Sequence, residues 1–63
     1  MLTAQEIEAL CAAAGIRAKF VGWGLVTCYL CDTNDVYLGY GRSDTKSNAL
    51  IEAWNNYVNS TRD

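Results

Sequence analysis

The chain has no histidine, no proline, one phenylalanine and one methionine in 63 residues. Each shortage closes something off. Without histidine, the commonest general base is missing. The remaining acids do not replace it: Glu6 and Glu8 lie two apart on a helical stretch and diverge, while Asp32 and Asp35 fall in a turn. A chain this short also struggles to enclose a water-poor pocket. These features point away from an enzyme, with no catalytic residues, no cofactor and no metal. Cysteine is sparse and odd in number. Cys28-Tyr29-Leu30-Cys31 has C-x-x-C spacing, but the run reads as a strand, where residues three apart face opposite ways. A redox pair would begin a helix, and a structural zinc would need two further ligands where only Cys11 is left. Buried thiols in a reducing cytoplasm are the expectation. The longest apolar run, Leu25 to Cys31 interrupted by Thr27, is far short of the ~20 residues that span a bilayer. The N-terminus lacks the basic-then-apolar pattern of a signal peptide. Five Lys and Arg against seven Asp and Glu leave a formal charge of −2, which works against non-specific duplex binding.

What is present reads as one domain over residues 1–63. Thr3 followed by Glu6 is a capping box, in which each side chain satisfies an orphan N–H of the helix start. Ile7, Leu10, Cys11 and Ala14 follow with the spacing of one helical face, and Gly15 stands where a left-handed cap ends a helix. This predicts a helix over 3–14. The period then changes to two. Ile16, Ala18 and Phe20 alternate with Arg17 and Lys19, and Gly22-Trp23-Gly24 makes a turn with Trp23 at its tip. Leu25 to Cys31 is the second strand, with Val26, Cys28 and Leu30 on one face and Thr27, Tyr29 and Cys31 on the other. Asp32 to Asp35 is a hairpin turn by composition. Val36 to Gly41 is the third strand, with Val36, Leu38 and Tyr40 alternating with Tyr37, Gly39 and Gly41. Ser43 or Asp44 caps a last helix over about 44–59, whose buried face is Leu50, Ile51, Trp54, Tyr57 and Val58 with Ala53 at its edge. The predicted fold is α+β: helix, three-stranded antiparallel meander, helix, with both helices on one face of the sheet.

Gly39-Tyr40-Gly41 lacks a third glycine at phosphate-loop spacing. Glycine within a strand instead permits a bulge or a close approach by the last helix. The informative feature is the uncovered sheet face. Tyr29 and Tyr37 point there with Arg17, Lys19 and Thr27, and Trp23 lies at the rim. Tyr, Trp and Arg are the residues in which binding energy concentrates. The candidate partner-binding residues are therefore Trp23, Tyr29, Tyr37, Arg17 and Lys19, with Asp32, Asp35 and Asp44 as electrostatic complements.

The element order, with Gly39-x-Gly41-x-Ser43 before the last helix, resembles the double-stranded RNA-binding domain over most of the chain. That family clusters lysines at the start of its second helix to hold phosphates. Ser43-Asp44-Thr45-Lys46-Ser47-Asn48 has one lysine and an aspartate, and the Ala49 and Ala53 pair is offset. By size and composition alone, the chain also resembles small phage-encoded inhibitors of host defence, of which anti-CRISPR proteins are the best-known group. That resemblance implies steric covering of a partner surface. The expectation is thus a cytoplasmic, stoichiometric protein-binding inhibitor or adaptor with no membrane partner. A nucleic-acid module stacking bases on the same tyrosines is the alternative, with Arg17, Lys19, Arg42 and Lys46 meeting phosphates. A homodimer through the open face is a third arrangement.

Overall fold

A computed structural model describes residues 2–61. The elements are α1 (Ala4–Ala14), β1 (Arg17–Val21), β2 (Val26–Cys31), β3 (Tyr37–Ser43) and α2 (Lys46–Thr61). The three strands form an antiparallel meander in the order β1-β2-β3, with both helices against one face. No helix among the described residues is long and apolar enough to cross a membrane.

Local chemistry sets the boundaries. The Glu6 N–H donates to Thr3 Oγ1 at 3.2 Å and the Thr3 N–H donates back to Glu6 Oε1 at 3.0 Å, closing the capping box. Gly15 ends α1 in the left-handed region at φ 73°, where a side chain would be strained. In the β2–β3 turn, Asp32 Oδ1 accepts from the Asn34 and Val36 amides at 2.8 and 2.9 Å, and Asp35 holds φ 61°. The start of α2 differs from expectation. Ser43 ends β3 and donates its hydroxyl to Asp44, whereas Thr45 Oγ1 accepts the Asn48 N–H at 3.2 Å. Thr45 is the residue immediately before the first helical turn, so it does the capping that Ser43 or Asp44 was expected to do.

The core joins Ile7 and Cys11 of α1, Cys28 and Leu30 of β2, and Ala49, Leu50 and Ala53 of α2. Two expectations change here. Leu10 and Ala14 are exposed, because α1 buries only a narrow stripe through Ile7 and Cys11. Ala53 is completely buried at the centre of the α2 face instead of at its edge, as is Ala49. The reason lies in β3. A Cβ on Gly41 would collide with the Ala53 nitrogen and reach the Ala49 carbonyl oxygen at 2.5 Å, so strand and helix backbones are in near contact. Only a small side chain fits on the helix side of so close an approach. Ile51, Trp54 and Tyr57 are left partly buried around this contact, with the Trp54 and Tyr57 rings edge-on at 5.7 Å.

Candidate functional site

The helix-free sheet face is built by three cross-strand rows. Register places Val21, Thr27 and Arg42 in one row, Lys19, Tyr29 and Tyr40 in the next, and Arg17, Cys31 and Tyr37 in the third. Strict alternation would have turned Tyr40 inward with Leu38, as the sequence pattern predicted. It does not, because the β2–β3 pairing shifts between Leu30 and Cys31: Leu30 faces Gly39, while Cys31 faces Tyr37. Leu38 is the extra residue of a bulge, which resets the parity of β3. Tyr37 stays outward, Gly39 and Gly41 turn toward α2, and Tyr40 emerges on the open face.

The result is a triangle of three phenols. Ring centroids are 6.3 Å apart for Tyr29–Tyr37, 6.1 Å for Tyr29–Tyr40 and 6.3 Å for Tyr37–Tyr40, in tilted or edge-on orientations. Tyr29, Tyr37 and Tyr40 remain 38%, 53% and 52% exposed. Their mutual packing fixes the rings while leaving much of their surface to solvent. Partial burial, followed by the neighbouring Tyr40 and Tyr29 phenols and the Cys31 thiol, pushes the Tyr37 hydroxyl above its ordinary pKa. Cys31 is buried in this face beside Tyr37, apart from the core cluster that contains Cys11 and Cys28. All three thiols are free.

Charge is distributed unevenly around the triangle. Asp35 Oδ1 lies 4.0 Å from Arg17 Nη1 and 3.9 Å from Lys19 Nζ, with all three side chains more than half exposed. Exposed pairs of this length contribute little to stability, so both cations remain available. With Arg42, the face carries three cations against one carboxylate on a chain whose formal charge is −2.

Of the residues singled out from sequence, Arg17, Lys19, Tyr29, Tyr37 and Asp35 are brought together. Asp32 lies in the β2–β3 turn, where its Oδ1 accepts from the Asn34 and Val36 amides. Asp44 lies in the β3–α2 connection and accepts from Ser43. Trp23 is fully exposed at the β1–β2 tip, beyond the end of the sheet opposite Tyr37. Tyr40 and Arg42 join the patch; the paired glycines around Tyr40 were the signal that could have revealed it. Beside the patch, a groove of about 360 Å³ runs between Tyr37–Tyr40 of β3 and Glu52, Asn56 and Ser60 of α2. Asn56 Nδ2 donates to the Tyr40 carbonyl at 2.7 Å and ties this edge strand to the helix. Compared with known proteins, the chain matches no family model, no curated protein and no solved structure.

Proposed function

We propose that this protein is a non-catalytic binding module of the small phage or mobile-element type, which inhibits a protein partner by covering its surface stoichiometrically. The observation that carries this reading is the aromatic triangle. Three tyrosines, held in fixed orientations by one another and flanked by Arg17, Lys19 and Arg42, offer rigid amphipathic contact area with little side-chain freedom left to lose. The cations steer encounter with an acidic partner surface. The test retains proteins from a native-host extract on the immobilised chain, then measures the identified partner against a Tyr37→Ala/Tyr40→Ala variant. Loss of one hot-spot residue costs about 2 kcal/mol or more, roughly thirtyfold in affinity. The expected result is a loss of at least that size with an unchanged circular dichroism spectrum. Unaltered affinity would remove the face from the function.

A second reading is favoured by one observation, the excess of cations among the rings. Phenols interleaved with Arg17, Lys19 and Arg42 could stack the bases of a single strand while the cations meet its phosphates. Titration with single- and double-stranded oligonucleotides at two salt concentrations separates the readings: binding that weakens steeply with salt supports nucleic acid, and no binding at low salt eliminates it.

A further inference from the structure

Charge in this chain is sorted between the two sides of the sheet. Arg17, Lys19 and Arg42 are on the open face together with Asp35. Glu6 and Glu8 lie on α1 and Glu52 on α2, in the helix layer, where Glu52 borders the outer edge of β3. Lys46 belongs to that layer too, since its Nζ sits 5.9 Å from the ring centroid of Phe20, which packs against the core. Asp32 and Asp44 occupy the connections at the two ends of β3. Among the described residues the open face thus holds three cations against one carboxylate, and the helix layer one cation against three carboxylates. The connections add two more carboxylates, on a chain whose formal charge is −2.

On the open face the cations bracket the phenols. The register sets Arg17 and Lys19 on β1, Tyr29 on β2, and Tyr40 and Arg42 on β3, so Lys19 and Arg42 stand diagonally across the Tyr29–Tyr40 pair. Strands lie about 4.8 Å apart and rise about 3.4 Å per residue, which puts those two backbone positions roughly 12 Å from each other. An extended peptide covers that distance in about three or four residues. Tyr37 and Arg17 continue the face one row further, and Asp35 offsets part of the charge on Arg17 and Lys19. The complementary chemistry is an apolar side chain over the rings with a carboxylate to either side. Arg, Lys and the phenol hydroxyls all donate to carboxylates, and the rings cover apolar surface.

We infer that the open sheet face takes an extended acidic polypeptide segment in which two carboxylates bracket one apolar side chain. This rests on the sheet-face reading above and specifies the partner's epitope. Two other occupants fit the charges less well. A continuous polyphosphate running along the strands would leave the cations and meet Asp32 and Asp35 at one end and Asp44 at the other. A short epitope ends before it reaches those carboxylates. A second copy docked face to face would set one positively charged face against another. The acidic helix layer repels an acidic segment from the back of the molecule, so the field across the sheet selects the side on which the partner lands.

The probe is a short capped synthetic peptide, Glu-Ser-Phe-Ser-Glu in a glycine–serine frame. It is titrated at low salt into the isotope-labelled full chain, up to about one millimolar, and followed by amide resonances, which register weak contacts. Saturable shifts should be confined to the open face and should shrink as salt rises. A peptide with glutamine in place of glutamate should bind about tenfold more weakly, since two exposed ion pairs together contribute about that factor. The Lys19→Gln/Arg42→Gln variant should lose as much toward the original peptide, with an unchanged melting temperature. Lys46→Gln, which removes a cation from the helix layer, should bind the peptide as the wild type does. No shift at about one millimolar peptide overturns the inference, as does equal binding of the glutamine peptide or equal weakening by Lys46→Gln. Oligothymidylate that moves these amides where the acidic peptide does not would assign the face to nucleic acid. Shifts that depend on the concentration of the chain alone would assign it to a second copy. Either overturns the inference. A captured partner that needs Tyr37 and Tyr40 yet tolerates Lys19→Gln/Arg42→Gln would remove the acidic epitope and leave the sheet-face reading standing.

Discussion

Substituting alanine at Gly41 and, separately, at Gly39 isolates the contact that organises the fold. Neither glycine has a positive φ, so the substitutions differ only in the space that a methyl would enter. At Gly39 the added carbon would lie 3.3 Å from the Tyr57 backbone and Cβ, which a shift of a few tenths of an ångström relieves. The stiffer unfolded chain returns about 0.4–1 kcal/mol, so the net effect should be within about 1 kcal/mol of zero. At Gly41 the same carbon would overlap the Ala53 nitrogen and come within 2.5 Å of the Ala49 oxygen and 2.7 Å of the Glu52 carbonyl carbon. These are backbone atoms of a helix and cannot rotate away. Overpacking against movable side chains costs about 1–3 kcal/mol; here the cost should reach roughly 3 kcal/mol or more. For a 63-residue chain, total stability at about 0.05–0.15 kcal/mol per residue is roughly 3–9 kcal/mol. Gly41→Ala should therefore leave a melting temperature lower by about 12 °C or more, at about 4–8 °C per kcal/mol. Urea denaturation followed by far-ultraviolet circular dichroism measures both variants, with the slope checked for constancy. A Gly41→Ala variant as stable as Gly39→Ala would show that α2 does not rest on β3 through these backbones.

Thr3→Ala removes the reciprocal bonds of the capping box and should cost about 1 kcal/mol in the same assay, whereas Thr3→Ser should restore most of it. Burial, then the neighbouring Cys11 thiol, pushes the Cys28 thiol up to about 11 from 9.0. The unfolded chain therefore ionises this thiol first, so the contribution is intact below pH 9 and is lost as pH rises from 9 toward 11. A Cys28→Ala variant should show a shallower decline across that window, and equal slopes would refute the assignment. At neutral pH, Cys28 should resist alkylation in the folded chain and react on unfolding, as buried, protonated thiols do.

Much of this fold was legible because its signals were local. Thr3 with Glu6, the Gly15 cap, the Asp32–Asp35 turn and the alternation of Ala18 with Lys19 each involve neighbours within one turn or one hairpin, and each appears where the sequence placed it. What escaped was set by contacts between distant segments. The bulge at Leu38 exists where the β2–β3 register shifts, and a period-two reading carries no marker for one inserted residue. The cue was Gly39 and Gly41, already consistent with a close helix approach: had both been turned toward α2, Tyr40 would have followed to the open face. Ala53 was misjudged for the same reason. Hydrophobic size ranks alanine below Trp54, but the Gly41 contact gives the centre of the interface to the smallest side chain. The candidate patch was half found, with Tyr29 and Tyr37 named and their third ring missed.

Near-contact of the α2 and β3 backbones has a consequence for the mobility of the open sheet face. With Ala49 and Ala53 seated against Gly41, the helix has no slack in which to slide or tilt, and Asn56 anchors the strand edge further along. The strand that presents Tyr37, Tyr40 and Arg42 is thus mounted on an unyielding support. If the sheet face is the binding face proposed above, docking should proceed as one stiff body meeting another, with free and bound forms nearly superimposable.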